Sequence, residues 1–240
     1  MAKYDASHNS ADVKDAAPEN PKLLLPLAML FVAMLLIANT IAVKIVSIGP
    51  FNIPAGILCF PITYIFGDVL VEVYGYRQTR KIIWTGLACQ VLMAGFYYLS
   101  AVLKPAVFWQ GQEAWAQFFT MSPRIVLGSL MGYFSGEFTN AFVMSKMKIW
   151  SQGKHLWMRT IGSTVAGEGV DTLFFNMVAF AGIFAWNQLG SIILSGYILK
   201  VVYEVVITPV TYAVVGRLKS AERIDHFDYD VKSYSPFTTH

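Results

Sequence analysis

Leu23 to Val43 reads LLLPLAMLFVAMLLIANTIAV, a run with no charged side chain. It matches the roughly 20 residues a helix needs to cross a hydrocarbon core about 30 Å thick. The run is typical of the chain, since 55% of its 240 residues are hydrophobic and only 14% are charged. Ordinary soluble domains carry roughly 45–50% and 25%. A surplus of that size has to be buried, and a bilayer is the medium that buries it, so the sequence reads as a membrane protein.

Loops that break the apolar character divide the chain into six segments, at residues 22–43, 53–75, 81–103, 121–146, 160–185 and 190–216. The expected fold class is an all-α membrane protein with a bundle of six transmembrane helices over residues 22–216. Residues 1–21 and 217–240 are polar and aperiodic and read as cytoplasmic tails, the first flexible and the stretch after Arg223 mobile. The first 20 residues are mixed in charge and the first apolar run is long, which argues against a cleaved leader.

Basic residues sort the loops. Arg77, Arg80 and Lys81 lie between segments two and three, Lys146, Lys148, Lys154 and Arg159 between four and five, and Arg217, Lys219 and Arg223 after six. The alternate loops hold Lys44, Lys104 and Arg124. The positive-inside rule then puts both termini in the cytoplasm. The net charge of +3 comes from these loops and tails, so it speaks to topology rather than to nucleic-acid binding. Cys59 and Cys89 sit in apolar runs and read as packing residues.

Ionisable and amide groups inside the segments carry what chemistry there is: Asn39, Asp68, Glu72, Glu137, Asn140, Glu168, Asp171, Asn176, Lys200 and Glu204. Each charge at mid-helix costs about 2.5–3.5 kcal/mol on insertion scales, so such groups face a bundle interior or a wet cavity. Asp68 and Glu72, Glu168 and Asp171, and Lys200 and Glu204 are three or four residues apart, so each pair shares one helix face. Asp68 and Glu168 lie at matching depth, about 12 Å from the basic ends at 1.5 Å per residue, and are expected to meet. Both follow glycine, in Gly67-Asp68 and Gly167-Glu168-Gly169, at corresponding positions of two three-helix halves, which hints at an inverted repeat.

For several of these residues two readings stand. Glu72 is close enough to Arg77 or Arg80 to form a structural ion pair, and Lys200 and Glu204 either pair along their own helix or touch a ligand. Glu137 and Asn140 serve either helix packing or a ligand. Gly128, Gly132 and Gly136 form a GxxxGxxxG face that admits another backbone, either within the chain or across a homodimer. The four histidines, His8, His155, His226 and His240, lie in tails or a loop, so HExxH and Ser-His-Asp arrangements have no foothold. With no Walker A loop and no membrane-embedded nucleophile beside the acids, an intramembrane lipid enzyme is disfavoured, and neither a cofactor nor a metal is expected.

The stretch IPAGILCFPITYIFGDVLVEVYGYRQTRKIIW (Ile53 to Trp84), with GSTVAGEGVDTLFF (Gly162 to Phe175), resembles the queuosine precursor transporter family, formerly grouped as vitamin-uptake-like transporters. The resemblance covers residues 25–215 and implies a six-helix inner-membrane importer of 7-cyano-7-deazaguanine or 7-aminomethyl-7-deazaguanine for queuosine salvage. Its motif positions here are Asp68, Glu72, Tyr74, Gly75, Tyr76, Gly167, Glu168 and Asp171. With such a ligand, Asp68, Glu168 and Asp171 become candidate substrate contacts, Asn39, Asn176 and Lys200 the wall of the cavity, and Phe60, Tyr64, Phe174 and Phe175 candidates to stack on the base. The alternative within reach of the same residues is the substrate-binding subunit of an energy-coupling-factor vitamin importer.

Overall fold

The computed structural model of the chain describes residues 21–42, 44–48, 51–119, 123–231 and 233–237. The N-terminal tail expected over residues 1–21 therefore falls, but for Pro21, outside the described residues. Six helices dominate: α1 (Leu24–Ile41), α2 (Phe60–Val102), α3 (Gln112–Phe119), α4 (Pro123–Trp150), α5 (Leu156–Phe180) and α6 (Trp186–Glu222). Between α1 and α2 the chain forms a small antiparallel hairpin, β1 (Ile45–Ile48) with β2 (Phe51–Pro54), and a 3-10 turn at Ala55–Leu58. The hairpin is a local addition to the expected all-helical fold. IVSI and FNIP are rich in β-branched and aromatic residues and too short to show a period.

The second and third expected segments are two limbs of α2. Gly75, at φ +81° and ψ 169°, is the one non-helical residue between them. Asp68 receives a hydrogen bond from Asn140 of α4, and Tyr133, two turns earlier on α4, gives its hydroxyl to the Ile83 carbonyl. In a continuous helix residues 68 and 83 would stand about 22 Å apart. Both reach one short stretch of α4, so the chain turns back at Gly75. No loop is needed because glycine alone adopts this conformation without strain. A Cβ at Gly75 would also lie 2.2 Å from the His226 ring.

The helices are inverted relative to those of a soluble protein. The buried residues of α5 include Arg159, Thr160, Ser163, Thr164, Thr172 and Asn176, while Val165, Leu173, Phe174 and Met177 are exposed. On α6, Glu204, Thr208 and Thr211 are buried while Ile192, Ile198, Val202 and Val206 face out. Polar groups inside and apolar groups outside suit a lipid surround. Three helical stretches, Leu24–Ile41, Ile65–Val102 and Trp186–Glu222, are long and apolar enough to cross a membrane by length and composition. The chain is a multi-pass membrane protein.

The closest helix contact is α4 against α5, antiparallel along the glycine face. A Cβ at Gly132 would fall 2.5 Å from the Asp171 carboxylate, one at Gly136 would fall 2.6 Å from Asp171 Cβ, and one at Gly128 would fall 3.0 Å from the Phe175 carbonyl. The stripe that sequence left open to a homodimer is therefore filled by α5 of the same chain. The apolar core gathers Phe31 and Leu35 of α1, Leu70 and Ile83 of α2, and Phe138 and Met144 of α4.

The segment after Arg223, expected to be mobile, instead lies across the end of the bundle where the basic residues collect. Asp228 accepts the Tyr76 N–H at 2.9 Å and the Ser145 hydroxyl at 2.5 Å, which caps the second limb of α2 just past the Gly75 corner. Tyr76 donates its hydroxyl to the Tyr234 carbonyl, Arg80 binds the Ser235 carbonyl, and Trp84 binds the Pro236 carbonyl. Helix α6 runs on to Glu222, whose carboxylate accepts the backbone N–H groups of Lys22 and Leu23 at the start of α1.

Candidate functional site

Two clusters of carboxyl groups occupy the interior, at different heights. The first surrounds Glu72 near the basic end. Glu72 is wholly buried and receives Arg159 Nε at 3.2 Å and Nη2 at 2.9 Å, one to each oxygen, together with Lys219 Nζ at 2.6 Å. Lys148 lies 3.6 Å from the same carboxylate and donates to the Glu72 carbonyl, to Asp225 and to the His226 carbonyl. The bidentate guanidinium and the added ammonium groups satisfy the acid from several sides. Burial pushes Asp225 up, but Lys148 and Lys219 outweigh it and hold that carboxyl below the usual range. The expected partners Arg77 and Arg80 do not bond Glu72, because the Gly75 corner carries them onto the other limb. Arg159 was hidden from sequence reasoning as one more basic loop residue.

The second cluster lies at mid-helix depth. Asp68 of α2, Glu137 and Asn140 of α4, and Thr164 and Glu168 of α5 line one cavity together with Thr63. Asp68 and Glu168, which the sequence places at one depth, line the same cavity. Asp68 is 2% exposed and accepts Asn140 Nδ2 at 3.3 Å through Oδ1, while Oδ2 has no hydrogen-bond partner among the described residues. Lys200 of α6 reaches across to Glu168 at 2.6 Å and to Asp171 at 2.5 Å. It pairs with the acids of α5 and not with Glu204 of its own helix. Glu204 is wholly buried, and both its oxygens lack a hydrogen-bond partner among the described residues.

The cavity measures about 20 Å³. That is room for roughly a single water, far below the roughly 300 Å³ of pockets that enclose a small organic ligand. The described arrangement is closed, and anything larger than water enters only when the helices part. Glycines make that closeness possible, since a Cβ at Gly167 would stand 2.7 Å from Asn140 Cβ, and Gly136 and Gly167 bring α4 and α5 into backbone contact beside the cavity.

Other expected site residues fall elsewhere. Asn176 is buried on α5, its amide donating to the Thr172 carbonyl at 2.7 Å, and it does not line the cavity. Asn39 donates to the Leu35 carbonyl and faces a separate apolar crevice of about 410 Å³ shared with Gln90, Tyr97 and Phe119. Phe174 is exposed on the outer face of α5, and Phe175 packs on Phe180. The side chains of Phe60 and Tyr64 lie outside the described residues. Thr63 and Thr164 were missed in the sequence, although they stand five and four residues before the named acids Asp68 and Glu168.

The sequence model of the family described as "Putative vitamin uptake transporter" matches residues 54–214. The chain is 28% identical over 187 residues to a Bacillus subtilis protein named probable queuosine precursor transporter, covering 78% of this chain and 82% of that one. An Escherichia coli protein named queuosine precursor transporter is 27% identical over 197 residues, 81% of this chain and 86% of its own. A Haemophilus influenzae protein named probable queuosine precursor transporter is 26% identical over 186 residues, 73% and 75% of the two chains. No solved structure matches the chain. The matched span runs from β2 nearly to the end of α6 and includes every member of the cavity.

Proposed function

The chain belongs to the vitamin uptake transporter family, and from that premise we propose that it imports queuosine precursors across the inner membrane. The observation that carries the reading is the mid-helix cluster of Asp68, Glu137, Glu168 and Asp171, in which Lys200 bonds the last two, among helices whose outer faces are apolar. An imbalance of that kind is costly in a membrane and is accounted for by a ligand that brings donors or positive charge. The three relatives carry the name of queuosine precursor transporters and not of enzymes.

The architecture proposed is six crossings: α1, the two limbs of α2, α4, α5 and α6. The first limb of α2 spans about 22 Å at 1.5 Å per residue, and β2 with the 3-10 turn continues it toward the far side. Two inverted halves are proposed, one built on α1 and α2 and the other on α4, α5 and α6. Convergence of Gly67-Asp68 and Gly167-Glu168 on one cavity supports this, as a pseudo-two-fold axis in the membrane plane would bring them together. The end holding Arg77, Arg80, Lys81, Lys148, Lys154 and Lys219 faces the cytoplasm by the positive-inside rule, which puts both termini there.

A 7-deazaguanine presents its N1 hydrogen and 2-amino group side by side, and one carboxylate accepts both in a bidentate pair. Asp68, with an oxygen unclaimed, and the Glu168–Asp171 pair are assigned to that edge and to the substituent at position 7, which is a cyano group or a cationic aminomethyl group. Lys200 bridges the α5 acids in the closed state and would release one as substrate enters. Asn176 supports that face of α5 from behind, and Phe60 and Tyr64, on the same limb as Asp68, are assigned to stacking. The test is binding and uptake of radiolabelled 7-cyano- and 7-aminomethyl-7-deazaguanine by purified protein carrying Glu168→Gln with Asp171→Asn. Affinity and uptake should both fall at least about tenfold, the loss of one charge-assisted hydrogen-bond pair. Unchanged affinity in correctly inserted protein would remove these residues from the site. Uptake by this chain alone in a host without energy-coupling-factor partners separates it from a subunit of such an importer.

A further inference from the structure

Glu204 lies at the midpoint of α6 with no exposed surface, and neither oxygen of its carboxyl group has a hydrogen-bond donor among the described residues. Lys200, one turn earlier, points its ammonium at Glu168 and Asp171. Thr208, one turn later, gives its hydroxyl to the backbone carbonyl of Glu204 and not to the side chain. The acids that interact with it are Asp68 from α2 and Glu168 from α5, with Glu137 from α4 acting on Asp68, and the nearby ammonium of Lys200 is bonded to Glu168 and Asp171. Farther along α2 and α5, Glu72 is bound by Arg159, so that cation is already committed.

A bare carboxylate sealed from water beside other carboxylates is among the least favourable states a protein interior offers, and such a group changes its protonation instead of keeping its charge. Glu204 does not itself line the cavity but lies buried behind its wall, so it is compatible with the closed bundle as a neutral acid and, once the helices part and water reaches it, as an anion. Among the described residues no three His, Cys, Asp or Glu side chains are placed to hold a metal ion, whereas a proton needs a single carboxyl. Spare hydrogen-bonding groups continue toward the basic end. Thr211, about 10 Å farther along α6, is buried with no hydrogen-bond partner for its hydroxyl among the described residues, and the same holds for the Tyr74 hydroxyl beside the Gly75 corner.

We infer that Glu204 carries the coupling proton, so that one proton moves inward with each precursor molecule. The inference rests on the importer reading above. With the cavity open to the outside, the Glu204 carboxylate takes a proton from water and forms an O–H bond. Closure buries the neutral acid together with the substrate. Opening to the cytoplasm lets water in, the O–H bond breaks, and the proton passes to water as the substrate leaves. No bond of the precursor changes.

The experiment uses the full chain in proteoliposomes with radiolabelled 7-cyano-7-deazaguanine, which carries no charge of its own to confuse the gradient. With one proton per substrate, a gradient of one pH unit, acid outside, supports about tenfold accumulation, and a protonophore abolishes it. Glu204→Gln, which fixes the neutral shape, should still bind precursor and exchange labelled for unlabelled substrate, yet lose the accumulation. Glu204→Asp should keep part of it. Wild-type uptake indifferent to the pH gradient, or driven by a sodium gradient, overturns the inference, and this wild-type measurement decides even if the variants fail to insert. Accumulation by Glu204→Gln equal to wild type also overturns it. Absence of any precursor binding by the wild type would overturn the importer reading itself and this inference with it, while binding and exchange without pH dependence would sink only the proton.

Discussion

Two regions of this protein bury acids, and they do so in opposite ways. Around Glu72 the carboxylates are fully paired: Arg159, Lys148 and Lys219 surround Glu72 and Asp225, and both Glu72 oxygens are bonded. Around Asp68 and Glu204 they are not, since Lys200 bonds Glu168 and Asp171 and three of the oxygens on Asp68 and Glu204 have no hydrogen-bond donor among the described residues. Matched charge locks the basic end of the bundle and ties α2, α4, α5, α6 and the C-terminal segment to one point. Unmatched charge leaves the centre poised for whatever arrives to complete it. The difference separates a structural ion cluster from a working site more sharply than burial does, because each cluster holds both wholly buried and part-exposed charges.

The comparison predicts opposite responses to the same kind of substitution. Glu72→Gln should be the most damaging change to folding, because it leaves Arg159, 1% exposed, without its carboxylate. Breaking a buried pair in this way costs about 3–5 kcal/mol, and it should appear as lost thermal stability in detergent and poor recovery from membranes. A Glu72→Gln protein as stable as wild type would erase the distinction between the clusters. Next in size is Gly132→Ala, whose methyl group would press on the Asp171 carboxylate. Overpacking of this kind costs about 1–3 kcal/mol, and moving Asp171 should weaken precursor uptake as well. Asp68→Asn should behave in reverse. It gives the partnerless Oδ2 position an uncharged group, so stability should hold or rise by about 1 kcal/mol, while uptake falls at least about tenfold. A marked loss of stability in Asp68→Asn would mean that the central acids are structural after all.

How much of this was legible in the sequence depended on whether partners lie on one helix or on several. The six apolar segments and the meeting of Asp68 with Glu168 could be read, since depth along a straight helix is arithmetic and a charge in an apolar run has to face inward. The partner of Glu72 could not. Arg159 is far along the chain, and Gly75 turns the path so that the nearer Arg77 and Arg80 point elsewhere. Asn39 was misplaced for a similar reason, because mid-membrane depth says nothing of which side of a helix faces which crevice. The C-terminal segment IDHFDYDVKSYSPF was unreadable because much of its docking uses backbone carbonyls, those of Tyr234, Ser235 and Pro236, which leave no signature in residue types. The hairpin of β1 and β2 was too short for a period of two to show.

The smallest effect tests whether the matched cluster extends into that segment. Burial pushes the Asp228 carboxyl up, but hydrogen bonds from His226, Ser145 and the Tyr76 N–H outweigh it and hold it below the usual range. A carboxyl whose folded value is depressed contributes stability that is fully present above its unfolded value of about 3.9 and is lost as pH falls through the folded value. Docking of residues 224–237 should therefore be flat across neutral pH and weaken only below about pH 4. Fluorescence of Trp84, whose indole N–H bonds the Pro236 carbonyl and whose ring meets Phe237, reports the docking directly. Asp228→Asn keeps an acceptor but loses the charge, and should release the segment with a cost of about 1–2 kcal/mol and no acid transition. Release near neutral pH in the wild type would instead mean that the Asp228 carboxylate is not what holds the segment.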